Sequence, residues 1–433
     1  MMRKFNLISL ALISVLLAGC EIHISTSSSS SYVDSTEYEV VDSYVSNILT
    51  ADKKVVTPFN TSMGLRVFSE ADNNKVFPVY EKEIQRLHSL FDRYNSYKDS
   101  NDNLLINLKS INDSYGKGEV LKIDDDLEKL LTLSIELSKL TEGYFNPTMG
   151  VLIDEWNTYE VDGKIHNRFS PFASEGVDIT LDEVNKGLEA IIPFEDLENY
   201  LIINQEENTI EFKKYKDVEK VTLSLGAIAK GYAIEKTKDM LDSFNTSLMI
   251  DGGSSSVYTV GKNPSPDRDY WVMGLSSPYK NGMFPISFAN VKLEGTYALS
   301  TSGDYENCFY IKDENDRKIY RHHILNPFTG YPENYQRVIS IVSSSRSDVL
   351  DGLSTALFNI EDLDKMFEIS TNVGKHFGIE IDFIIEREYD EVSKTLDIYY
   401  TEGYKSKIMS FNTSKVKINE EKIVGKSDEK DEN

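Results

Sequence analysis

The cysteine content sets the first limit on what this chain can fold into. Only Cys20 and Cys308 occur among 433 residues, and two thiols cannot build a disulfide framework or a cysteine-rich zinc or iron–sulfur site. The fold must therefore be held together by packing. A content of 40% hydrophobic and 11% aromatic residues supplies enough material for a sizeable core, so wholesale disorder is excluded.

The charge balance restricts the partners. Acidic residues outnumber basic residues by 71 to 46, which gives a formal net charge of −25 at pH 7. A surface this negative repels a phosphate backbone over most of its area. We therefore expect no nucleic-acid partner.

The first twenty residues have the features of a secretory signal. Arg3 and Lys4 precede an apolar run at 7–17, which is shorter than a membrane span. The following LAGC sequence resembles a bacterial lipoprotein box, in which the cysteine is lipidated. We expect residues 1–19 to be removed and Cys20 to anchor the protein to the cell membrane through acyl chains, outside the cytoplasm. The alternative is an ordinary signal peptide or an N-terminal anchor helix with an incidental cysteine.

Composition divides the remainder into three parts. A serine-rich stretch follows Cys20, and we expect residues 20–54 to be this stretch, as a flexible tether, and a lead-in to the folded unit. Residues 411–433 are charged and nearly free of aromatic side chains, which predicts a flexible tail. Residues 55–410 show no internal repeat and no break rich in proline or glycine, which indicates one compact unit, with a division into two lobes left open.

Helix and strand patterns are mixed along this unit. Apolar residues recur every three to four positions at 79–93 and 126–140, which predicts amphipathic helices. Segments 247–253, 293–301 and 337–345 have the apolar and β-branched content of strands. Because no regular βαβ rhythm appears, we predict an α+β fold around an antiparallel or mixed sheet.

Two glycine-containing segments are candidate ligand sites. Segment 224–232, SLGAIAKGY, places small residues and Lys230 at the start of a predicted helix. Free amides at a helix start and a lysine attract phosphate, although such a start is also common for packing reasons. Gly252 and Gly253 follow a predicted strand, where they allow either a tight turn or the close approach of a ligand.

Two further segments contribute titratable side chains. His322 and His323 are adjacent, and neighbours on a strand point to opposite faces, so one of them at most enters a given site and a paired-histidine zinc site is disfavoured. In segment 348–358, Asp351 and Thr355 share one face of a predicted helix. Their oxygen atoms suit Mg²⁺ or Ca²⁺, and a solvated or capping arrangement is the alternative.

These segments occur in the order of a known family. The chain resembles the ApbE-type FAD:protein FMN transferases, once described as thiamine-biosynthesis lipoproteins. The resemblance covers residues 55–385 and includes the Met63-Gly64 pair near the start of this range. It rests on the blocks FDRYNS, NLKSIN, TEGYFNPTMGVLIDEW, LGAIAKGYA, IDGG, TSGDYE, HILNPFTGYP and DGLSTAL.

The resemblance implies an activity. Members of this family bind FAD, use Mg²⁺ to cleave its pyrophosphate, and transfer FMN to a Ser or Thr hydroxyl of a target flavoprotein, releasing AMP. By motif position, it implies that the metal is held by the Ala227 carbonyl, Asp351 and Thr355, with Ser354 adjacent. His323 matches the family histidine and becomes the candidate general base.

The resemblance also implies the flavin cleft and the fold class, which agrees with the α+β prediction. The implied FAD contacts are Met63, Tyr144, Phe145, Asn146, Ser224, Lys230 and Ile324. The blocks lining the same cleft contain Gly252, Gly253, Thr301 and Gly303.

The chain departs from the family pattern at three positions. Ser224, Asn326 and Asn146 stand where the family usually has aspartate, which places the affinity for Mg²⁺ and the orientation of FAD in question. Two alternatives to the transferase therefore stay open, an FAD pyrophosphatase that uses water and a flavin-binding lipoprotein without turnover. Segment 351–356 also resembles the start of the family's acceptor motif, but Leu357 occupies the hydroxyl position, so we interpret the segment as the metal helix.

Overall fold

The structure is a computed structural model that describes residues 39–170, 174–253, 255–281, 284–390, 392–414 and 416–425. The predicted signal peptide, Cys20 and the serine-rich stretch before residue 39 lie outside these ranges. In the part of the chain that is described, no helix combines the length and the hydropathy needed to cross a bilayer.

The described residues form ten α-helices and twenty-one β-strands. The helices are α1 (Glu70–Phe91), α2 (Leu108–Asp113), α3 (Asp125–Leu140), α4 (Gly150–Asn157), α5 (Leu181–Glu189), α6 (Leu197–Tyr200), α7 (Ala229–Leu241), α8 (Ser347–Phe358), α9 (Leu363–Phe377) and α10 (Glu402–Lys405). The first eleven strands are β1 (Val41–Tyr44), β2 (Ile48–Leu49), β3 (Val55–Val56), β4 (Met63–Val67), β5 (Val120–Lys122), β6 (Thr158–Val161), β7 (Lys164–Asn167), β8 (Leu201–Asn204), β9 (Thr209–Phe212), β10 (Leu248–Gly252) and β11 (Ser256–Val260). The other ten are β12 (Trp271–Asn281), β13 (Phe284–Leu293), β14 (Tyr297–Gly303), β15 (Cys308–Lys312), β16 (Lys318–His322), β17 (Val338–Ser343), β18 (Asp382–Asp390), β19 (Thr395–Thr401), β20 (Ile408–Phe411) and β21 (Lys417–Val424).

A nine-stranded sheet organises the fold. Its strand order is β1-β4-β10-β11-β14-β17-β18-β19-β21, and every neighbouring pair is antiparallel except β19 with β21. The prediction of an α+β fold around an antiparallel or mixed sheet is therefore confirmed. Smaller two- and three-stranded sheets surround it, including β12-β13-β20.

Both faces of the large sheet are covered. Alternate side chains point to opposite faces of a strand, so Ile250 of β10 packs in the core shared with α1, α3, α7 and α8, whereas its neighbour Met249 packs against β12 and β13. The same alternation separates Ile385 from Ile384 in β18. The sheet is thus a middle layer between helices and the β12-β13-β20 sheet.

The predicted elements differ from the observed ones mainly in extent. The helices predicted at 79–93 and 126–140 correspond to α1 and α3, and α1 begins earlier because Ser69 caps it through the Asp72 amide. The strand predicted at 293–301 is two strands, since β13 ends at Leu293 and β14 begins at Tyr297. Gly295, with φ of 93°, makes the turn between them.

Two boundary predictions are wrong. Residues 41–44 were assigned to the lead-in before the compact unit, but they form β1, which pairs with β4. Residues 417–424 were assigned to the flexible tail, but they form β21 at the opposite edge of the sheet, where Val424 is buried. Polar residues are usual on edge strands, so composition alone made both edges resemble unstructured segments. Residues 426–433 lie outside the described part.

Candidate active site

Helix α7 begins without a cap of its own. Its N-cap residue, Ile228, has no side chain that can accept a hydrogen bond from the first amides. Lys230 occupies the second helical position and Gly231 the third. The predicted helix start at 224–232 is therefore present, and its open amide groups require acceptors from elsewhere in the fold.

The acceptor comes from α8. The Asp351 Oδ2 atom accepts a hydrogen bond from the Gly231 amide at 2.9 Å. One turn along each helix the relation is reversed, because Glu235 of α7 accepts from the Ser347 amide at 2.8 Å. Each helix thus caps the other. The helices cross so closely that a Cβ at Gly231 would lie 2.6 Å from the Asp351 Cβ and would overlap the Ser347 carbonyl, which requires glycine at this position.

Serine hydroxyls from the sheet surround the buried Asp351 carboxylate. Ser256 of β11 donates to Oδ1 at 3.0 Å, and Ser300 of β14 lies 3.5 Å from the same atom. Ser354 donates to the Asp351 carbonyl at 2.9 Å and lies 2.8 Å from the Ser302 hydroxyl. Sequence reasoning selected Asp351 and Ser354 but missed the three strand serines, because a serine on a strand carries no pattern of its own.

The Asp351 region has the features of a cation site. All the donors to this carboxylate among the described residues are neutral, so its buried charge has no compensating cation. Because the Gly231 amide donates to Asp351, the Ala227 carbonyl lacks the donor that a regular helix would supply. Thr355, partly exposed, makes only a long 3.4 Å hydrogen bond, to the carbonyl of its own helix turn.

These oxygen atoms fit Mg²⁺ better than a softer metal. A carboxylate, a backbone carbonyl and a hydroxyl are hard ligands, and Mg²⁺ completes its shell with water or substrate phosphate. Within the described ranges, no group of three or more His, Cys, Asp or Glu residues forms a metal site. Ser354 is the least suited of the four predicted ligand residues, since its hydroxyl is buried against Ser300 and Ser302.

A recess of about 170 Å³ opens beside the start of α7. Its lining includes Ser224 and Lys230, which lie before and at the start of α7, and the aromatic residues Phe59 and Tyr94. No described residue forms a hydrogen bond or an ion pair with the Lys230 ammonium group. The recess therefore offers a positive charge beside the N-terminal end of a helix, which is suited to a phosphate group. Phe59 and Tyr94 were not selected as site residues, although Tyr94 belongs to the FDRYNS block.

The two adjacent histidines face in opposite directions, as predicted. His322 is buried, its Nε2 lies 2.9 Å from the Glu333 carbonyl, and burial lowers its pKa to about 3. His323 is exposed, so it can meet a substrate.

The surroundings of His323 keep its imidazole neutral at pH 7. Although the side chain is exposed, the protein atoms packed around it hydrate the charged imidazole less well than water does, and this lowers its pKa below the usual 6.5. Glu306 opposes this shift, and the positive charge of Lys230 adds to it. The influence of Lys230 connects His323 with the α7 end of the cleft. A neutral imidazole can accept a proton, which a general base must do.

The glycine pair after β10 meets the beginning of β4. Met63 is buried and lies opposite Gly252 in the sheet register. Gly253 has φ of 70°, and a Cβ there would overlap the Thr61 side chain. The two glycines therefore allow the segment that leads from the recess into β4 to lie close to the end of β10.

The remaining residues predicted to contact FAD differ in how deeply they are buried. Tyr144 is half-buried and packs edge to face on Phe328, with ring centroids 5.0 Å apart. Phe145 and Ile324 are buried in the core, so they can contribute only a wall or their backbone groups.

The structure does not bring every predicted cleft residue to Asp351. The Thr301 hydroxyl lies 2.9 Å from Ser340 on the face of the sheet that points away from α8. Gly303, at the end of β14, packs against the Tyr305 ring so closely that it has no room for a Cβ.

Of the three residues that stand where the family usually has aspartate, Asn146 and Asn326 have structural roles. Asn146 donates to the Ile192 carbonyl at 2.8 Å and accepts from the Thr148 amide at 2.9 Å, and an ionised aspartate could not make the first of these bonds. Asn326 accepts from the Phe328 amide at 2.8 Å and shapes the turn that carries Phe328. Ser224, by contrast, lines the recess. A serine in place of the family's aspartate at this position therefore bears directly on ligand binding.

Comparisons with known proteins identify the family of this chain. A model described as the ApbE family matches residues 59–377. The FAD:protein FMN transferase of Vibrio cholerae is 31% identical over 227 residues, which span 52% of this chain and 58% of that protein. The FAD:protein FMN transferase of Haemophilus influenzae is 24% identical over 327 residues, which span 74% of this chain and 84% of that protein.

Solved structures show the same fold. The flavin transferase ApbE of Vibrio cholerae aligns with a TM-score of 0.58 at 21% identity, covering 86% of this chain and 100% of that one. The ApbE protein of Thermotoga maritima aligns with a TM-score of 0.57 at 21% identity, covering 81% of this chain and 94% of that one. Because the family model covers well over half of the 433 residues, this chain belongs to the ApbE family.

Proposed function

We propose that this chain transfers FMN from FAD to a Ser or Thr hydroxyl of an acceptor flavoprotein and releases AMP. The observation that carries the proposal is the start of α7, where Lys230 lines the recess and the neighbouring Gly231 amide is held by the Asp351 carboxylate. Family membership and the names of the curated relatives support the same activity.

Binding of the FAD diphosphate is assigned to the start of α7. Lys230 supplies a full positive charge, and the dipole at the N-terminal end of α7 supplies a partial one. This local charge outweighs the distant acidic surface, because salt screens charges beyond about 10 Å. Phe59 and Tyr94 also line the recess, where planar rings of the dinucleotide can pack against their aromatic side chains.

The Asp351 carboxylate, the Ala227 carbonyl and the Thr355 hydroxyl would hold Mg²⁺. When bound, this ion would neutralise negative charge on the phosphate oxygens. The capping bonds hold Asp351 still, and a fixed carboxylate does not have to reorganise when the substrate arrives.

His323 is assigned the proton transfer. Its neutral imidazole accepts the proton of the acceptor hydroxyl as that oxygen bonds to the phosphorus of the FMN half. The bond from this phosphorus to the bridging oxygen breaks, and AMP leaves with that oxygen. Lys230 is placed to stabilise the charge that develops on the departing phosphate.

The two alternatives from the sequence predict different products. The full-length chain in detergent is incubated with FAD and MgCl₂, with and without an acceptor domain carrying the family's flavinylation motif, and nucleotides are quantified over time. The proposal predicts AMP formation that depends on the acceptor, with little free FMN. Equal amounts of free FMN and AMP without acceptor would identify a pyrophosphatase, and bound but uncleaved FAD would identify a flavin-binding relative.

We also propose that the reaction takes place outside the cytoplasm, at the membrane to which Cys20 anchors this chain. The proposal rests on the lipoprotein-like segment at 17–20. The acceptor would then be an electron-transfer protein that also lies outside the cytoplasm. A purified chain that flavinylates no extracytoplasmic flavoprotein would contradict this assignment.

A further inference from the structure

The recess beside α7 has two walls made of non-helical chain. One is the turn Pro58–Asn60, in which Phe59 and Asn60 both have φ of 54°. The other is the segment 92–95 that follows α1. Two consecutive non-glycine residues in the left-handed region persist only where the surroundings hold them there.

His88 holds the first wall. This side chain projects from α1 and is buried, and its Nδ1 atom accepts a hydrogen bond from the Phe59 amide at 3.0 Å. Its ring also packs edge to face on the Phe59 ring, with centroids 5.4 Å apart. The contact thus fixes both the backbone and the side chain of the residue that lines the recess.

The remaining hydrogen bonds determine which nitrogen carries the proton. The Tyr97 hydroxyl donates to Asp92 Oδ2 at 2.6 Å, so its oxygen is left to accept. His88 Nε2 lies 3.1 Å from that oxygen and is therefore the donor. The imidazole is consequently neutral with its proton on Nε2, which leaves Nδ1 free to accept from Phe59.

Asp92 connects this network with the second wall. Its Oδ1 atom accepts from the Tyr94 amide at 2.7 Å and from the Asn95 amide at 3.2 Å. One continuous series of hydrogen bonds therefore runs from Phe59 through His88, Tyr97 and Asp92 to the backbone of Tyr94.

Burial favours the neutral state that this arrangement needs. Desolvation lowers the pKa of His88, and Asp92, 3.7 Å from Nε2, opposes that shift. A protonated imidazole would place an N–H group against the Phe59 amide and break the contact.

We propose that His88 is a positioning residue for the flavin-nucleotide recess. By accepting from Phe59 and donating to Tyr97, it holds the Pro58–Asn60 turn at a fixed separation from the 92–95 wall and so sets the affinity for FAD. The inference rests on the proposed function only in naming FAD as the ligand.

Three variants separate positioning from simple packing. In His88→Asn the amide oxygen falls near the place of Nδ1 and can still accept from Phe59. In His88→Gln the amide falls near Nε2 and loses that acceptor. Tyr97→Phe keeps the ring packing but removes the hydroxyl that links His88 with Asp92.

The experiment measures the dissociation constant of FAD by flavin fluorescence with the full-length protein, and then KM for FAD and kcat with an acceptor domain. We expect His88→Gln to raise the dissociation constant of FAD about tenfold and His88→Asn to keep it within about threefold of the wild-type value. The dissociation constant of Tyr97→Phe should fall between these two. In each variant kcat should change less than KM. Equal FAD affinity in all four proteins, or equal losses in the Asn and Gln variants, would overturn the inference.

Circular dichroism and thermal melting control for folding. If His88→Gln does not fold, Tyr97→Phe decides, because it leaves the buried imidazole in place, and wild-type FAD affinity in Tyr97→Phe would then overturn the inference. A wild-type protein that binds FAD but never transfers FMN would contradict the proposed function while leaving the positioning test readable. Failure of the wild type to bind FAD would overturn both.

Discussion

The Asp351 carboxylate accepts a hydrogen bond from the Gly231 amide at 2.9 Å, so the candidate metal ligand is also the cap of α7. The helix that presents Lys230 and the helix that presents the carboxylate are thereby fixed to each other. The Glu235 contact with Ser347 repeats this relation one turn away. A single crossing of two helices thus sets the geometry of both the proposed phosphate side and the proposed metal side of the site.

Substitution at Asp351 should separate the structural role from the chemical one. Asp351→Asn can still accept from Gly231, so we expect a stability loss of about 1 kcal/mol or less, whereas Asp351→Ala leaves buried donors unpaired and should cost about 2–4 kcal/mol. Both should reduce transfer about 100-fold or more, because the charged ligand is gone. Thermal melting and a Mg²⁺ titration of the rate measure the two effects. Full activity in Asp351→Asn would contradict the metal assignment.

The helix crossing predicts a stability difference between two glycines. Gly231→Ala forces a Cβ into the Ser347 carbonyl and should destabilise the protein by about 3 kcal/mol. Gly226→Ala is the matched control, since its nearest neighbour, the Ser224 hydroxyl, lies at 3.8 Å. Urea unfolding should show less than about 0.5 kcal/mol of change for the control. Equal stability of the two variants would mean that the helices do not cross as closely as described.

The pH dependence should report His323. If His323 is the general base, its neutral imidazole is the active form, so kcat/KM should fall as the pH is lowered through a pKa below 6.5. Lys230→Gln removes a charge that lowers this pKa and should move the acidic limb to higher pH. Glu306→Gln removes a charge that raises it and should move the limb to lower pH. Rates between about pH 5 and pH 8 test this, and shifts in the same direction would exclude His323 as the titrating base.

Membrane attachment should depend on one side chain. Cys20→Ser removes the only thiol in the lipoprotein-like segment, and a protein without acyl chains loses about 0.8 kcal/mol of membrane affinity for each methylene that would have been buried. Detergent phase partitioning should therefore move the protein from the detergent phase to the aqueous phase. Unchanged partitioning would show that Cys20 is not the anchor.

Local patterns sufficed for the fold class and for α8. Segment 337–345 is apolar on both faces because β17 lies in the middle of the large sheet, between β14 and β18. The spacing of Asp351 and Thr355 placed both on one helix, and the capping role that stood as an alternative is also present. Metal binding and capping are compatible here, because each carboxylate oxygen accepts more than one bond.

Contacts between distant segments could not be predicted. Ser256 and Ser300 reach Asp351 only because β11 and β14 are neighbours beneath α8. The edge strand β21 has the charged composition of a tail, and its order depends on pairing with β19. His88 gave no signal of its own, since a single histidine on an amphipathic helix is usually part of the core.

The most direct test of the proposed transfer is the intact mass of an acceptor domain after incubation with this chain, FAD and Mg²⁺, followed by fragmentation to locate the modified residue. We expect a gain of one FMN on a Ser or Thr, one AMP released for each modified acceptor, and no gain with Asp351→Asn. An acceptor of unchanged mass, in the presence of a wild-type protein that binds FAD, would contradict the proposed transfer.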